Sequence, residues 1–179
     1  MEAARALPII LDRVQAAGEL RTAKQNADTV ITMQTHKEPT GWVAATPVAT
    51  LYRSATQNQA LVAMTGTVEA GVDLRQANIS WKMEPTGRKL VVSLPHATIY
   101  EPTVDGRVHH AQSGLFWKDS NIALKAAREA KRKFRSAAQQ KGLAKEAEKN
   151  AEILIKDLIV PLHDGPIEVQ FTNNPVRMD

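Results

Sequence analysis

The sequence predicts an α+β fold: an antiparallel β-sheet with a short N-terminal helix, two C-terminal helices (or one kinked helix) and a final C-terminal strand. Three observations carry this. Residues 28–112 alternate apolar and polar side chains with the period of strands. From Asp119 the apolar period becomes helical, and after Pro161 alternation returns for one short run.

The elements follow in order. Leu7, Ile10, Leu11 and Val14 form one helix face, with Pro8 placed in the first turn and Gly18 at the end. In Thr29–Thr35, Ile31 and Met33 alternate with polar residues. Residues 36–60 contain Pro39-Thr40-Gly41 and Pro47 and read as loop, with one short strand over Val48–Tyr52. Leu61–Ala70 is extended, with Val62, Met64 and Val68 on one face. Ile79, Trp81 and Met83, then Leu90, Val92 and Leu94, form a hairpin about a type I turn at Glu84-Pro85-Thr86-Gly87. A second hairpin is expected at Asp105-Gly106, joining Ala97–Val104 to Arg107–Gln112, with Pro102 marking an edge or a bulge.

Asp119 or Ser120 caps the next helix, whose small-residue stripe is Ala123, Ala127, Ala130, Phe134 and Ala138. Gly142 breaks or kinks it. A second stripe follows in Leu143, Ala147, Ala151, Leu154, Ile155 and Leu158, ended by Pro161. After Asp164-Gly165-Pro166, Ile167, Val169 and Phe171 form the last strand. The chain therefore divides into an amphipathic helix over 1–22, a β-rich region over 23–118, a helical region over 119–160 and a strand and tail over 161–179, all in one domain. At 179 residues a single domain is expected, with enough core to fold without staples. Trp42, Trp81 and Trp117 are expected to pack the sheet against the helices.

Charge is unevenly spread. The net charge of +4 combines +2 over residues 1–118, +5 over 119–142 and −3 over 143–179. The absence of cysteine excludes disulfides, thiolate metal sites and cysteine nucleophiles. No apolar run approaches the roughly 18–20 residues of a membrane-spanning helix, and the start lacks the order of a signal peptide. The chain as written reads as soluble, and its opening directly into an amphipathic helix suits a native protein whose N-terminal segment was removed.

Several segments together resemble a bacterial family known as domain of unknown function 4230. They are Gly66-Thr67-Val68-Glu69-Ala70-Gly71-Val72-Asp73-Leu74, then Leu90-Val91-Val92-Ser93-Leu94-Pro95, then Ser113-Gly114-Leu115-Phe116. An alanine-rich charged helix, Lys141-Gly142-Leu143, Ala147, Asn150-Ala151 and the Ile167–Phe171 strand follow in the family's order. The similarity covers about residues 10–172, leaving only 36–60 without a family pattern. It implies a membrane anchor followed by one globular domain, and it supplies no catalytic residues to carry over.

The candidate site lies on the basic helix. With Phe134 at the centre of the buried face, Lys125, Arg128, Arg132 and Arg135 fall on one opposite arc, flanked by Lys131 and Lys133. The plainer reading of that arc is a solvated face built from good helix formers, with Glu146 and Glu148 able to pair with it if the two helices fold back. The functional readings are an anionic membrane surface, or phosphates of nucleic acid; the lack of aromatics among the cations argues against single strands.

His109-His110 invites a metal or a hydrolase with Asp105, yet neighbours on a regular strand point to opposite faces and cannot readily share an ion. His36, His96 and His163 add no ligand spacing, so neither a metal site nor a cofactor is expected. Gly66, Gly71 and Gly87 read as a bulge and turns, Asp73 as a turn cap, and Ser113-Gly114-Leu115 lacks the frame of a nucleophile elbow. The expected function is a non-enzymatic binding or scaffolding domain at a bacterial membrane, its partner an anionic surface or a membrane protein. The alternatives are a hydrolase using His109 and His110, or nucleic-acid binding through residues 125–135.

Overall fold

A computed structural model describes residues 2–85, 87–112 and 121–173. The order is α1 (Glu2–Ala16), β1 (Glu19–Thr35), α2 (Val48–Ala55), β2 (Asn58–Asp73), β3 (Asn78–Glu84), β4 (Gly87–Pro95), β5 (Thr98–Ile99), β6 (Thr103–Gln112), α3 (Ile122–Gln140), α4 (Leu143–Ile159) and β7 (Ile167–Thr172). This is the α+β class expected, with two sheets rather than one. In the first, β2 lies between β1 and β5, and β6 also pairs with β2; the second has the order β3-β4-β7. The chain separates into two compact units: Met1–Gln25, Glu69–Tyr100 and Ala138–Asp179 form one, Asn26–Val68 and Glu101–Ala137 the other.

The first unit holds a core of Ile10 and Val14 from α1, Val72, Leu74, Ala77, Ile79, Leu90, Val92 and Leu94 from the strands and the turn after β2, and Ala151, Ile155 and Ile159 from α4. The β3–β4 hairpin has the expected register, Ile79 opposite Val92 and Trp81 opposite Leu90. Its turn type rests on Thr86, which lies outside the described residues. Trp81 packs partly buried against this core; the side chain of Trp42 and all of Trp117 lie outside the described residues. β7 runs parallel to β4, Leu90 opposite Ile167 and Leu94 opposite Phe171, a pairing that needs a long connection such as the one between them in the chain.

Helix boundaries and faces differ from expectation in physical detail. α1 begins at Glu2 and ends at Ala16, so Pro8 lies inside it and β1 starts at Glu19, within the segment read as helix. An interior proline removes one backbone bond; the buried Ile10 and Val14 that hold α1 in place follow it. On α4 the buried face is Leu143, Ala147, Ala151, Ile155 and Ile159, whereas Leu154 is exposed. α3 and α4 are separate helices, divided at Gly142, whose φ of 75° suits glycine. Glu148 is engaged within the first unit: its Oε1 is 2.8 Å from His96 Nδ1 and accepts from the Ala97 amide at 3.2 Å.

A charged cluster links β1 and β2 in this unit. Arg21 Nη1 donates to Glu69 Oε2 at 2.7 Å, and its guanidinium lies 4.7 Å from the Tyr100 ring centre. Burial, and a hydrogen bond from the phenol to Glu19, push Tyr100 up to about 12 from 10.0. The folded value exceeds the unfolded one, so this contribution to stability is complete below pH 10 and is lost as pH rises through about 12. In a Tyr52→Phe variant, the remaining phenol is expected to ionise near 12 by absorbance titration; ionisation at the ordinary tyrosine value contradicts the burial described.

The second unit is built on β2. Val62, Met64 and Val68 are buried along it, as the alternation requires, together with Ile31 of β1 and Ala126, Ala130 and Phe134 of α3. α3 therefore buries a stripe beginning at Ala126; Ala123 is exposed. Residues 113–120, including the expected caps Asp119 and Ser120 and the segment Ser113–Phe116, lie outside the described residues. Val48–Tyr52 is helix, not strand. Its β-forming side chains yield to a helical spacing that buries Ala49 and, one residue past the helix, Thr56, whose Oγ1 caps the Tyr52 carbonyl at 2.9 Å.

The second hairpin does not form. β6 runs straight through Asp105-Gly106, pairing antiparallel with β2 so that Thr65 faces Asp105 and Met64 faces Gly106. Pro102 lies in the connection between β5 and β6. Gly106 serves close approach rather than a turn: a Cβ there would sit 2.2 Å from Met64 Sδ. Because a thioether can swing aside, Gly106→Ala is expected to cost about 1 kcal/mol, measured by urea unfolding, and Met64→Ala in the same chain should not add its full separate cost. Gly66 and Gly71 likewise lie within β2 rather than at turns, paired in register with Val104 of β6 and Thr98 of β5. Gly66 admits the Phe134 ring, and Gly71 admits the β1 backbone.

Candidate functional site

Phe134 fixes the rotation of α3. With its ring inward against Gly66 and Ala126 and Ala130 buried beside it, the helical repeat turns Lys125, Arg128, Arg132 and Arg135 to solvent, and all four are exposed. Lys125, Arg128 and Arg132 line one open hollow of about 550 Å³, with Lys131, Glu129 and Met33 completing its wall. That volume lies within the roughly 300–1,000 Å³ of ordinary ligand sites. Arg135 is not part of the wall, though its charge acts on Glu101.

Three wall residues were not among the candidates. Lys131 flanks the apolar stripe, and helical geometry alone leaves open which hollow it enters. Glu129 is one turn from Lys125 and hydrogen-bonds Arg132. Met33 comes from β1, and no spacing in the sequence connects it to α3.

The cations are partly compensated. Lys131 pairs with Glu101 and Arg132 with Glu129. The hydrogen bond from Lys131 holds the Glu101 carboxyl below the usual carboxylate range. Arg128 makes no ion pair or hydrogen bond among the described residues. Five cations, counting Arg135, thus share one arc with two carboxylates. Exposed pairs of this kind contribute little to stability, about 0–1 kcal/mol each, so α3 does not depend on them to stay folded. Long cations around a thioether are, chemically, a set of positive charges suited to anionic groups.

The histidines are dispersed. His36 Nε2 meets Glu38 Oε1 at 2.7 Å, and Glu38 also accepts from Arg53; the hydrogen bond with His36 first, and that from Arg53 next, hold its carboxyl low. His96 pairs with Glu148 and stacks on Phe171 at 6.4 Å. His163 packs edge-on to Trp81 at 5.1 Å. Among the described residues, no group of three or more His, Cys, Asp or Glu side chains is placed to hold a metal.

At His109 the strand is irregular. Leu61 pairs with His110 but Val62 pairs with Val108, leaving His109 as the extra residue of a β-bulge. Strict alternation, the ground for separating the two histidines, therefore does not run through this point. The His110 side chain lies outside the described residues. Asp105, Arg107 and His109 line a small depression of about 160 Å³, too small for an ordinary ligand site, and the Asp105 carboxylate is engaged by the Gly106 amide at 2.8 Å. Asp73 caps the turn after β2 as expected, accepting from the Arg75 amide at 3.1 Å. Its hydrogen bonds to the Arg75 side chain, above all, hold it below the usual range.

No described helix is long and apolar enough to cross a membrane. The model of one family, described as protein of unknown function (DUF4230), matches residues 12–169. No curated protein and no solved structure matches the chain.

Proposed function

We propose that this chain, which belongs to the DUF4230 family of unknown function, is a non-enzymatic binding domain that docks on an anionic bacterial membrane surface through the basic face of α3. The observation that carries the reading is the exposed hollow walled by Lys125, Arg128, Lys131 and Arg132. A cation near an anionic leaflet contributes about 1 kcal/mol. Four on one rigid helix give about 4 kcal/mol, a millimolar-range contribution, and less where Glu101 and Glu129 offset part of it. An anchor upstream of α1, of the kind the family resemblance implies, would hold the domain at the bilayer and raise the effective concentration of this face.

The test is co-sedimentation of the chain with vesicles. Vesicles of phosphatidylcholine mixed with phosphatidylglycerol should retain it, and phosphatidylcholine alone should not. Retention should vanish as salt shortens the Debye length from about 8 Å at physiological strength to about 3 Å at 1 M. Equal retention on both vesicle types contradicts the proposal.

A further inference from the structure

Resting on the docking reading above, we propose that α3 inserts as well as docks: Leu124 enters the acyl boundary of the bilayer while the surrounding cations hold headgroup phosphates. Leu124 is 52% exposed although large and apolar. It is not a misplaced core residue, because the buried stripe of α3 runs through Ala126, Ala130 and Phe134. At about 100° per residue, Leu124 points in a direction between those of Lys131 and Arg135, which lie about two and three turns further along α3, and it stands one turn before Arg128. An apolar side chain thus stands near one edge of the cationic arc, next to Lys125 in the chain, and the hollow walled by Lys125 and Arg128 carries an apolar residue of its own, Met33.

This composition selects the occupant. Nucleic-acid phosphates reward the cations alone and leave the leucine facing water. A bilayer rewards both, taking charge at the headgroup level and apolar surface just beneath it, while lysine and arginine stems reach back up to the phosphates. The net positive arc complements an anionic leaflet and repels a second copy of the same face.

The chain has no cysteine, so a single environment-sensitive fluorophore can be attached to the full chain at Leu124→Cys. Gln140→Cys, exposed and on the far side of α3, serves as control. On vesicles containing phosphatidylglycerol, emission from position 124 should shift to the blue and be quenched by acyl-brominated lipid; emission from 140 should do neither. Leu124→Gln should weaken vesicle binding about fivefold, ~1 kcal/mol at 1.4 kcal/mol per decade, and Leu124→Met should restore most of it with an unchanged melting curve. An unshifted, unquenched probe at 124 on vesicles that still bind the chain overturns insertion and leaves electrostatic docking standing. Loss of binding to every vesicle overturns both. A concentration-dependent blue shift without vesicles assigns the face to a second copy and overturns the proposal.

Discussion

Gly71→Ala is expected to destabilise the protein by about 3 kcal/mol, the upper end of the usual cost of overpacking. A Cβ at this position would lie 2.3 Å from the Leu20 carbonyl oxygen and 2.8 Å from Arg21 Cα. Both are backbone atoms, so no rotamer change relieves the clash and β1 itself must move. Movement there disturbs the pair between Arg21 and Glu69 and the packing of Arg21 on Tyr100. Urea unfolding should show a lower midpoint with an unchanged slope. A midpoint equal to that of the parent chain contradicts the close approach. The contrast with Gly106→Ala is informative, because that Cβ meets the flexible end of Met64.

Phe134→Ala should cost about 3–5 kcal/mol. The ring is 3% exposed and is flanked on α3 by Ala126, Ala130 and Ala138. Alanines cannot swing in to fill the space, and Gly66 opposite offers no side chain, so the cavity persists. Gly66→Ala cannot repair it: its Cβ would still meet the Thr103 carbonyl oxygen at 2.4 Å. Thermal unfolding in the two single variants and the double variant measures this, with the double expected to be no more stable than Phe134→Ala alone. Because Phe134 sets the rotation of α3, the same variant should also blur the basic face.

Much of the fold is legible because strand alternation is unambiguous where large apolar residues carry it. Val62, Met64 and Val68, the pairs across the β3–β4 hairpin, and Ile167–Phe171 all read directly. The failures have separate causes. Asp-Gly is a strong local hairpin signal, yet at Asp105-Gly106 the demand for glycine comes from Met64 on another strand. Val48–Tyr52 carries β-forming side chains, and burial of Ala49 and Thr56 overrides them. In alanine-rich α3 two stripes satisfy the helical period, and the sequence does not say whether Ala123 or Ala126 faces inward. The first half of β1 is mostly polar, so its extended backbone leaves little trace.

The candidate site follows the same division. Lys125, Arg128, Arg132 and Arg135 are placed on one exposed arc by helical geometry once Phe134 is taken as buried. The hollow itself is not legible, since Met33 reaches it from a strand some ninety residues earlier. Nor is compensation legible: the partner of Lys131 is Glu101 from the β5–β6 connection, not an acid of α4. Tertiary structure thus reduces the apparent excess of charge and leaves Arg128 exposed with no ion pair among the described residues.

Charge reversal at that residue tests the central claim most directly. Arg128→Glu combined with Arg132→Glu changes two exposed side chains and should leave the unfolding midpoint nearly unchanged. Affinity for phosphatidylglycerol vesicles should fall by at least a hundredfold, at about 1 kcal/mol for each cation lost and as much again for each repulsion gained. Arg128→Lys with Arg132→Lys should retain most of the affinity. Undiminished vesicle binding by the reversed variant would contradict the assignment of this face to the membrane.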